Sequence, residues 1–255
     1  MISKKFQKYD NFIFDLDGTL WKWTKAIPGA SKIIKELYKE GKKLYFNTNN
    51  TALTRSGFAK KLRGFGIPAE ESQIVNPTLV AIRLFKGKRV FVSGEGIIDD
   101  LKKAGVKVVQ DNADAVLITE DRSVDHKKMT KAAQLVIKGA SLYKTARGGR
   151  WPYGDTVIIG VGAIAKAVEE CARKEAVLIG KPTDYMLDVI KRLKLNKSKT
   201  LIVGDEFRTD VVMGHLLGMD TLLVLSGNTT KKDALSATGM QKPKYLLNSV
   251  ADIIE

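Results

Sequence analysis

The sequence predicts an α/β protein built on parallel sheet. Two observations carry that expectation. Short apolar strands alternate with amphipathic helices along the chain, and several of the strands run out into polar residues at their carboxyl ends. NFIFD (residues 11–15) is a buried-looking strand, and GASKIIKELYKEG (29–41) is the helix after it. Ile33, Ile34, Leu37 and Tyr38 recur there at helical spacing, and Gly41 closes the helix. KLYFNTNN (43–50) is the next strand. A second group repeats the alternation: KRVFVSG (88–94), AVLITED (115–121), a helix through Met129, Ala133 and Val136, and DTVIIG (155–160). The third comprises AVLIGK (176–181), a helix through Met186, Ile190 and Leu193, TLIVGD (200–205) and DTLLVLSG (220–227). The middle group reads as a candidate inserted domain.

At 255 residues the chain holds one large domain or two modest ones. Its 44% hydrophobic and 28% charged residues are ordinary for a globular protein. No apolar run is long enough to cross a bilayer, and no signal-type segment follows Met1-Ile2-Ser3-Lys4-Lys5. The lone Cys171 excludes a disulfide framework, so the expected location is cytoplasmic. A net charge of +15 invites a nucleic-acid partner, but the 43 basic residues are spread along the whole chain. No zinc-finger spacing or aromatic RNA-binding signature accompanies them. A solvated lysine-rich surface accounts for them better, and nucleic acid is disfavoured.

Asp15 and Asp17 admit two readings on their own. Asp17-Gly18 is a good hairpin turn, with Thr19-Leu20-Trp21 as the returning strand. Alternatively, residues two apart on an extended segment point the same way and form a catalytic pair. The other strand ends bear on the choice: Asn47-Thr48-Asn49, Lys181 and Gly204-Asp205. If these strands share an open parallel sheet, their polar ends converge where such sheets bind ligands. The converged set would hold the carboxylates Asp15, Asp17, Asp205 and Asp210 with Thr48, Asn49 and Lys181. Carboxylates without a His or Cys cluster suit a hard, oxygen-loving ion, Mg²⁺ best. A cation and a lysine beside them would relieve the repulsion between an attacking carboxylate and a phosphate dianion.

These stretches resemble the motifs of the haloacid dehalogenase-type phosphatases, in the branch of the 4-nitrophenyl phosphatases and NagD-like sugar phosphatases (subfamily IIA). DLDGTLW (15–21), NTNNT (47–51), GKPTDYML (180–187) and VGDEFRTD (203–210) follow the family's order. The resemblance implies a Rossmann-like parallel-sheet core formed by residues 1–79 and 176–255, with an inserted α/β cap of the C2 type at 80–175. It also implies a phosphoric monoester hydrolase acting on a small phosphorylated metabolite such as a sugar phosphate, phosphoglycolate or a nucleotide-like ester. Asp15 then corresponds to the nucleophile and Asp17 to the general acid and base. Thr48, Asn49 and Lys181 correspond to phosphate ligands. Mg²⁺ would be held by Asp15, the Asp17 carbonyl and Asp205, with Asp210 as a further or water-mediated ligand. Relatives with such caps often dimerise through them.

The chain departs from the family pattern in the cap. It reads TARGGRWPYGD (145–155) in the loop expected to face the active site, and there Arg147, Arg150, Trp151 and Tyr153 are candidate specificity residues. VIIGVGAIA (157–165) mimics a dinucleotide fingerprint, but the following strand ends in Gly180-Lys181 rather than an acid, so a tight strand-to-helix turn is expected. A calcium loop counted from Asp15 fails because its twelfth position is Ala26. His126 and His215 are isolated. A phosphomutase and a catalytically silent anion- or nucleic-acid-binding protein are the rival readings. The second is disfavoured because Asp15, Asp17, Lys181 and Asp205 are all present.

Overall fold

The computed structural model describes residues 1–153 and 156–254. The chain divides into two compact units. One comprises Met1–Thr48, Phe58–Val75 and Leu187–Glu255, the other Asn49–Gly57 and Asn76–Met186.

The first unit is organised by a six-stranded parallel sheet. Its spatial order is Tyr245–Leu247, Asp220–Val224, Thr200–Gly204, Asn11–Phe14, Lys43–Asn47 and Ile74–Val75. Asn11–Phe14 is buried at every position, which explains its unbroken apolar run. It pairs on one side with Thr200–Gly204, Phe14 opposite Val203, and on the other with Lys43–Asn47, Phe14 opposite Phe46. Phe12, Phe14, Leu201, Val203 and Leu222 form a core with Ile33, Ile34 and Leu37 of the Ala30–Lys39 helix. Each such side chain contributes about 1.5–3 kcal/mol when fully buried. That helix is bounded by Gly29 at φ +83° and Gly41 at φ +70°, conformations that glycine adopts without the Cβ penalty.

The second unit has its own five-stranded parallel sheet, ordered Val177–Leu178, Ser141–Lys144, Ala115–Ile118, Arg89–Val92 and Lys107–Val108. The helices His126–Ile137 and Val161–Ala172 bury Ala133, Val136, Ile164 and Val168 against Phe91, Val116, Ile118 and Leu142. A separate hairpin pairs Arg150–Tyr153 with Thr156–Ile159. The Arg147-to-Tyr153 stretch is therefore part loop and part strand, where the sequence suggested a loop throughout.

Three of the four strands with polar ends share the first sheet. The fourth does not: Val177–Leu178 pairs with Tyr143 and Lys144 in the second sheet, so the segment leading to Lys181 belongs with the second unit. Asn49–Gly57 also groups there, tied by the Thr51 hydroxyl, which accepts from the Glu120 N–H at 3.0 Å. The expected strand-to-helix turn at Gly160 is present, with Gly160 capping the Val161–Ala172 helix. Its glycines have a packing cause. A Cβ on Gly160 would lie 2.6 Å from the Gly148 carbonyl oxygen, and one on Gly162 would overlap the Arg147 carbonyl.

Candidate active site

The carboxyl ends of three adjacent strands in the first unit deliver Asp15, Thr48 and Asp205. Asp15 follows Phe14, and its N–H donates to the Val203 carbonyl at 2.8 Å, which continues the strand pairing past the last sheet residue. Asp205 follows Gly204 on the neighbouring strand, and Asp210 arrives from a π-helical turn over Phe207–Val211. All three aspartates are buried, and one carboxylate oxygen of each lies within 4.8 Å of the others. Such a cluster carries a large repulsion when ionised and dry.

An all-oxygen donor set of this kind fits a hard divalent cation. An ion about 2.1 Å from each oxygen spans pairs up to about 4.2 Å apart. Two of the carboxylates have hydrogen bonds that hold them in place. Asp205 Oδ2 accepts from the Asn228 N–H at 2.7 Å, and Asp210 Oδ2 accepts from the Glu206 N–H at 3.3 Å and the Thr209 hydroxyl at 3.4 Å. Three glycines make room: a Cβ on Gly18 or Gly227 would overlap the Asp205 carboxylate, and one on Gly204 would overlap that of Asp210. Gly227 ends the quoted strand DTLLVLSG, and neither it nor Asn228 belongs to any of the four motifs. Only the glycine after an apolar strand, Leu225-Ser226-Gly227, hinted at a close approach.

Asp17 stands apart from the carboxylate triad in its bonding. Its Oδ1 accepts from the Trp21 indole N–H at 2.6 Å. The turn between them is closed by Gly18 N–H to the Trp21 carbonyl at 2.7 Å and Trp21 N–H to the Leu16 carbonyl at 3.2 Å. Gly18 sits at φ +84°, as such a turn requires. The hairpin that the sequence left open, turning at Asp17-Gly18 and returning through Thr19-Leu20-Trp21, is replaced: Asn11–Phe14 takes parallel partners on both sides, and a different hairpin lies further on, with Trp21–Lys22 against Lys25–Ala26.

Thr48 is buried, and its N–H donates to the Val75 carbonyl at 3.0 Å. Asn49 and Lys181 hold each other within the second unit. The Lys181 N–H donates to Asn49 Oδ1 at 2.7 Å, and the Asn49 amide donates to the Lys181 carbonyl at 3.3 Å. Gly180 permits this contact, since its Cβ would lie 2.6 Å from Asn49 Oδ1. Arg147 and Arg150 are exposed and Trp151 is half-buried. The Tyr153 side chain lies outside the described residues. His126 is exposed on its helix, and His215 makes a 2.9 Å contact with the Lys242 carbonyl oxygen.

Comparison with known proteins agrees with this geometry. Residues 12–107 match the family model of the haloacid dehalogenase-like hydrolases, and residues 178–253 match a second model of HAD-like hydrolases. Glycerol-3-phosphate phosphatase of Gallus gallus is 30% identical over 96% of this chain and 91% of its own. Ribonucleotide monophosphatase NagD of Escherichia coli is 30% identical over 95% of this chain and 97% of its own. The solved structure of a p-nitrophenyl phosphatase from Archaeoglobus fulgidus superposes with a TM-score of 0.86 at 30% identity, covering 96% of this chain and 98% of that one. No helix among the described residues is long and apolar enough to cross a membrane.

Proposed function

Because the chain belongs to the haloacid dehalogenase-like hydrolases, we propose that it is a Mg²⁺-dependent phosphatase of small phosphate monoesters, working through a phosphorylated Asp15. Its relatives make it a phosphoric monoester hydrolase of the 4-nitrophenyl phosphatase and NagD-like branch. The observation that carries the finer reading is the buried triad of Asp15, Asp205 and Asp210 at the carboxyl end of a parallel sheet.

An Asp15 carboxylate oxygen attacks phosphorus, and the bond from phosphorus to the ester oxygen breaks. The departing oxygen takes a proton from Asp17, and the alcohol leaves. Water then attacks the phosphorus of the acyl phosphate and gives a proton to Asp17, as the bond between the Asp15 oxygen and phosphorus breaks. Inorganic phosphate departs, and both aspartates regain their starting states. Asp15, Asp205 and Asp210, with the Asp17 carbonyl, would hold Mg²⁺, which when bound supplies charge neutralisation for the meeting of carboxylate and phosphate. Thr48, Asn49 and Lys181 are assigned to phosphate binding on their motif positions.

We read the second unit as the cap and assign choice of ester to Arg147, Arg150 and Trp151. Guanidinium groups fork onto carboxylates or second phosphates, and an indole covers a sugar or aromatic face. A cytoplasmic location and a homodimer formed through the cap complete the reading. Hydrolysis of 4-nitrophenyl phosphate with and without Mg²⁺ tests it: activity should require the ion, and full activity after thorough chelation would refute it.

A further inference from the structure

We infer that Trp21 is a positioning residue that fixes which oxygen of Asp17 carries the transferable proton. The inference rests on the reading of Asp17 as general acid and base. An indole N–H donates and never accepts, so the oxygen facing it serves as an acceptor in both protonation states of the carboxyl group. At 2.6 Å from Trp21 Nε1, that oxygen is Oδ1. A carbonyl oxygen accepts better than the hydroxyl oxygen of the same carboxyl group, so the contact favours the proton on Oδ2. In the first half-reaction it passes from Oδ2 to the ester oxygen as the bond to phosphorus breaks. In the second, a proton of the attacking water returns to Oδ2.

The indole is built to stay in place. Trp21 is fully buried, stacked parallel to Phe58 with ring centroids 6.4 Å apart, and tilted against Phe65 at 5.7 Å. Two backbone hydrogen bonds, Gly18 to Trp21 and Trp21 to Leu16, tie its main chain to the residues on either side of Asp17. The Lys61 ammonium lies 4.2 Å from the indole centroid. A cation on the ring face draws electron density toward itself and makes the N–H a stronger donor. Phe58, Lys61 and Phe65 come from one segment, the Arg55–Gly64 helix and the residue after it.

The test compares phenyl phosphate with 4-nitrophenyl phosphate. The two esters are nearly alike in shape, but the phenyl ester has the poorer leaving group and depends more on protonation. Two variants remove the N–H: Trp21→Phe, and benzothienylalanine at position 21, which keeps both fused rings and puts sulfur where the N–H was. Both should lower kcat on phenyl phosphate by about 10- to 100-fold, the range over which a misdirected general acid acts. KM should stay within about twofold and the first turnover of 4-nitrophenyl phosphate within about threefold. Combining either with Asp17→Asn should add no further loss. An unchanged kcat in the benzothienylalanine enzyme would overturn the inference. So would equal losses on the first turnover of both esters, the mark of a merely structural role. Should Asp17→Asn itself leave phenyl phosphate turnover intact, the assignment of Asp17 would fail first, and this inference with it.

Discussion

Gly227 lies directly against Asp205: a side chain of even one carbon at position 227 would occupy the space of the Asp205 carboxylate. The next residue donates its N–H to Asp205 Oδ2 at 2.7 Å, so the loop after the Asp220–Val224 strand both crowds and orients this carboxylate. Gly227→Ala should displace Asp205 and weaken Mg²⁺ binding by about 10- to 100-fold, the usual cost of disturbing a ligand's support. Calorimetric titration with Mg²⁺ would measure it. Wild-type affinity in the variant would show that the loop does not position Asp205.

Removing the cation should also be visible without substrate. Three buried carboxylates within 4.8 Å repel one another when no ion is bound. Added Mg²⁺ should therefore raise the thermal midpoint in proportion to the logarithm of its concentration, and Asp205→Asn should abolish the rise. A midpoint indifferent to Mg²⁺ would argue against a site at the triad.

The acid limb of stability should depend on Asp220, at the amino end of the strand that neighbours Thr200–Gly204 and so at the other end of the sheet from Asp205. Burial pushes its carboxyl upward, but hydrogen bonds from Lys244 at 2.7 Å and Tyr9 at 2.5 Å, with the charges of Lys244 and Lys8, outweigh this and hold its pKa below the ordinary value. A depressed folded pKa means that the stabilisation is complete above the unfolded value of about 3.9 and is lost as pH falls through the folded one. Asp220→Asn should cost about 1 kcal/mol at neutral pH and progressively less in acid. Urea unfolding at several pH values would reveal it, and a deficit that persists unchanged in strong acid would contradict it.

The exposed arginines of the second unit should affect which ester is used more than the chemistry. Arg147→Ala or Trp151→Ala should lower kcat/KM for the best anionic ester by about tenfold or more while sparing acetyl phosphate, which needs little grip. Equal losses on both would assign these residues to folding or closure.

The strands that carry motifs were legible because each is an apolar run ending in a polar residue, as at Phe14-Asp15 and Gly204-Asp205. The two-residue strands Ile74–Val75 and Lys107–Val108 were not, since so short a run has no period and is defined by its neighbour in the sheet. Nor could the sequence say which sheet Val177–Leu178 would join, because strand pairing is settled by packing across distant segments. The aspartates were found through their motifs. Their supports, Trp21 and Gly227, were not, because a hydrogen bond from an indole or a glycine crowded by a carboxylate leaves no local pattern.

The most direct test of the account is to trap the phosphorylated enzyme. Asp17→Asn should slow breakdown of the acyl phosphate while 4-nitrophenolate still departs with ease. The variant would be mixed with 4-nitrophenyl phosphate and Mg²⁺, quenched in acid and reduced with borohydride, which turns an aspartyl phosphate into homoserine. Peptide mass spectrometry should find homoserine at position 15, dependent on substrate and absent when Asp15→Asn is added. Intact Asp15 after nitrophenolate release, or homoserine at another aspartate, would contradict the assignment of Asp15 as nucleophile.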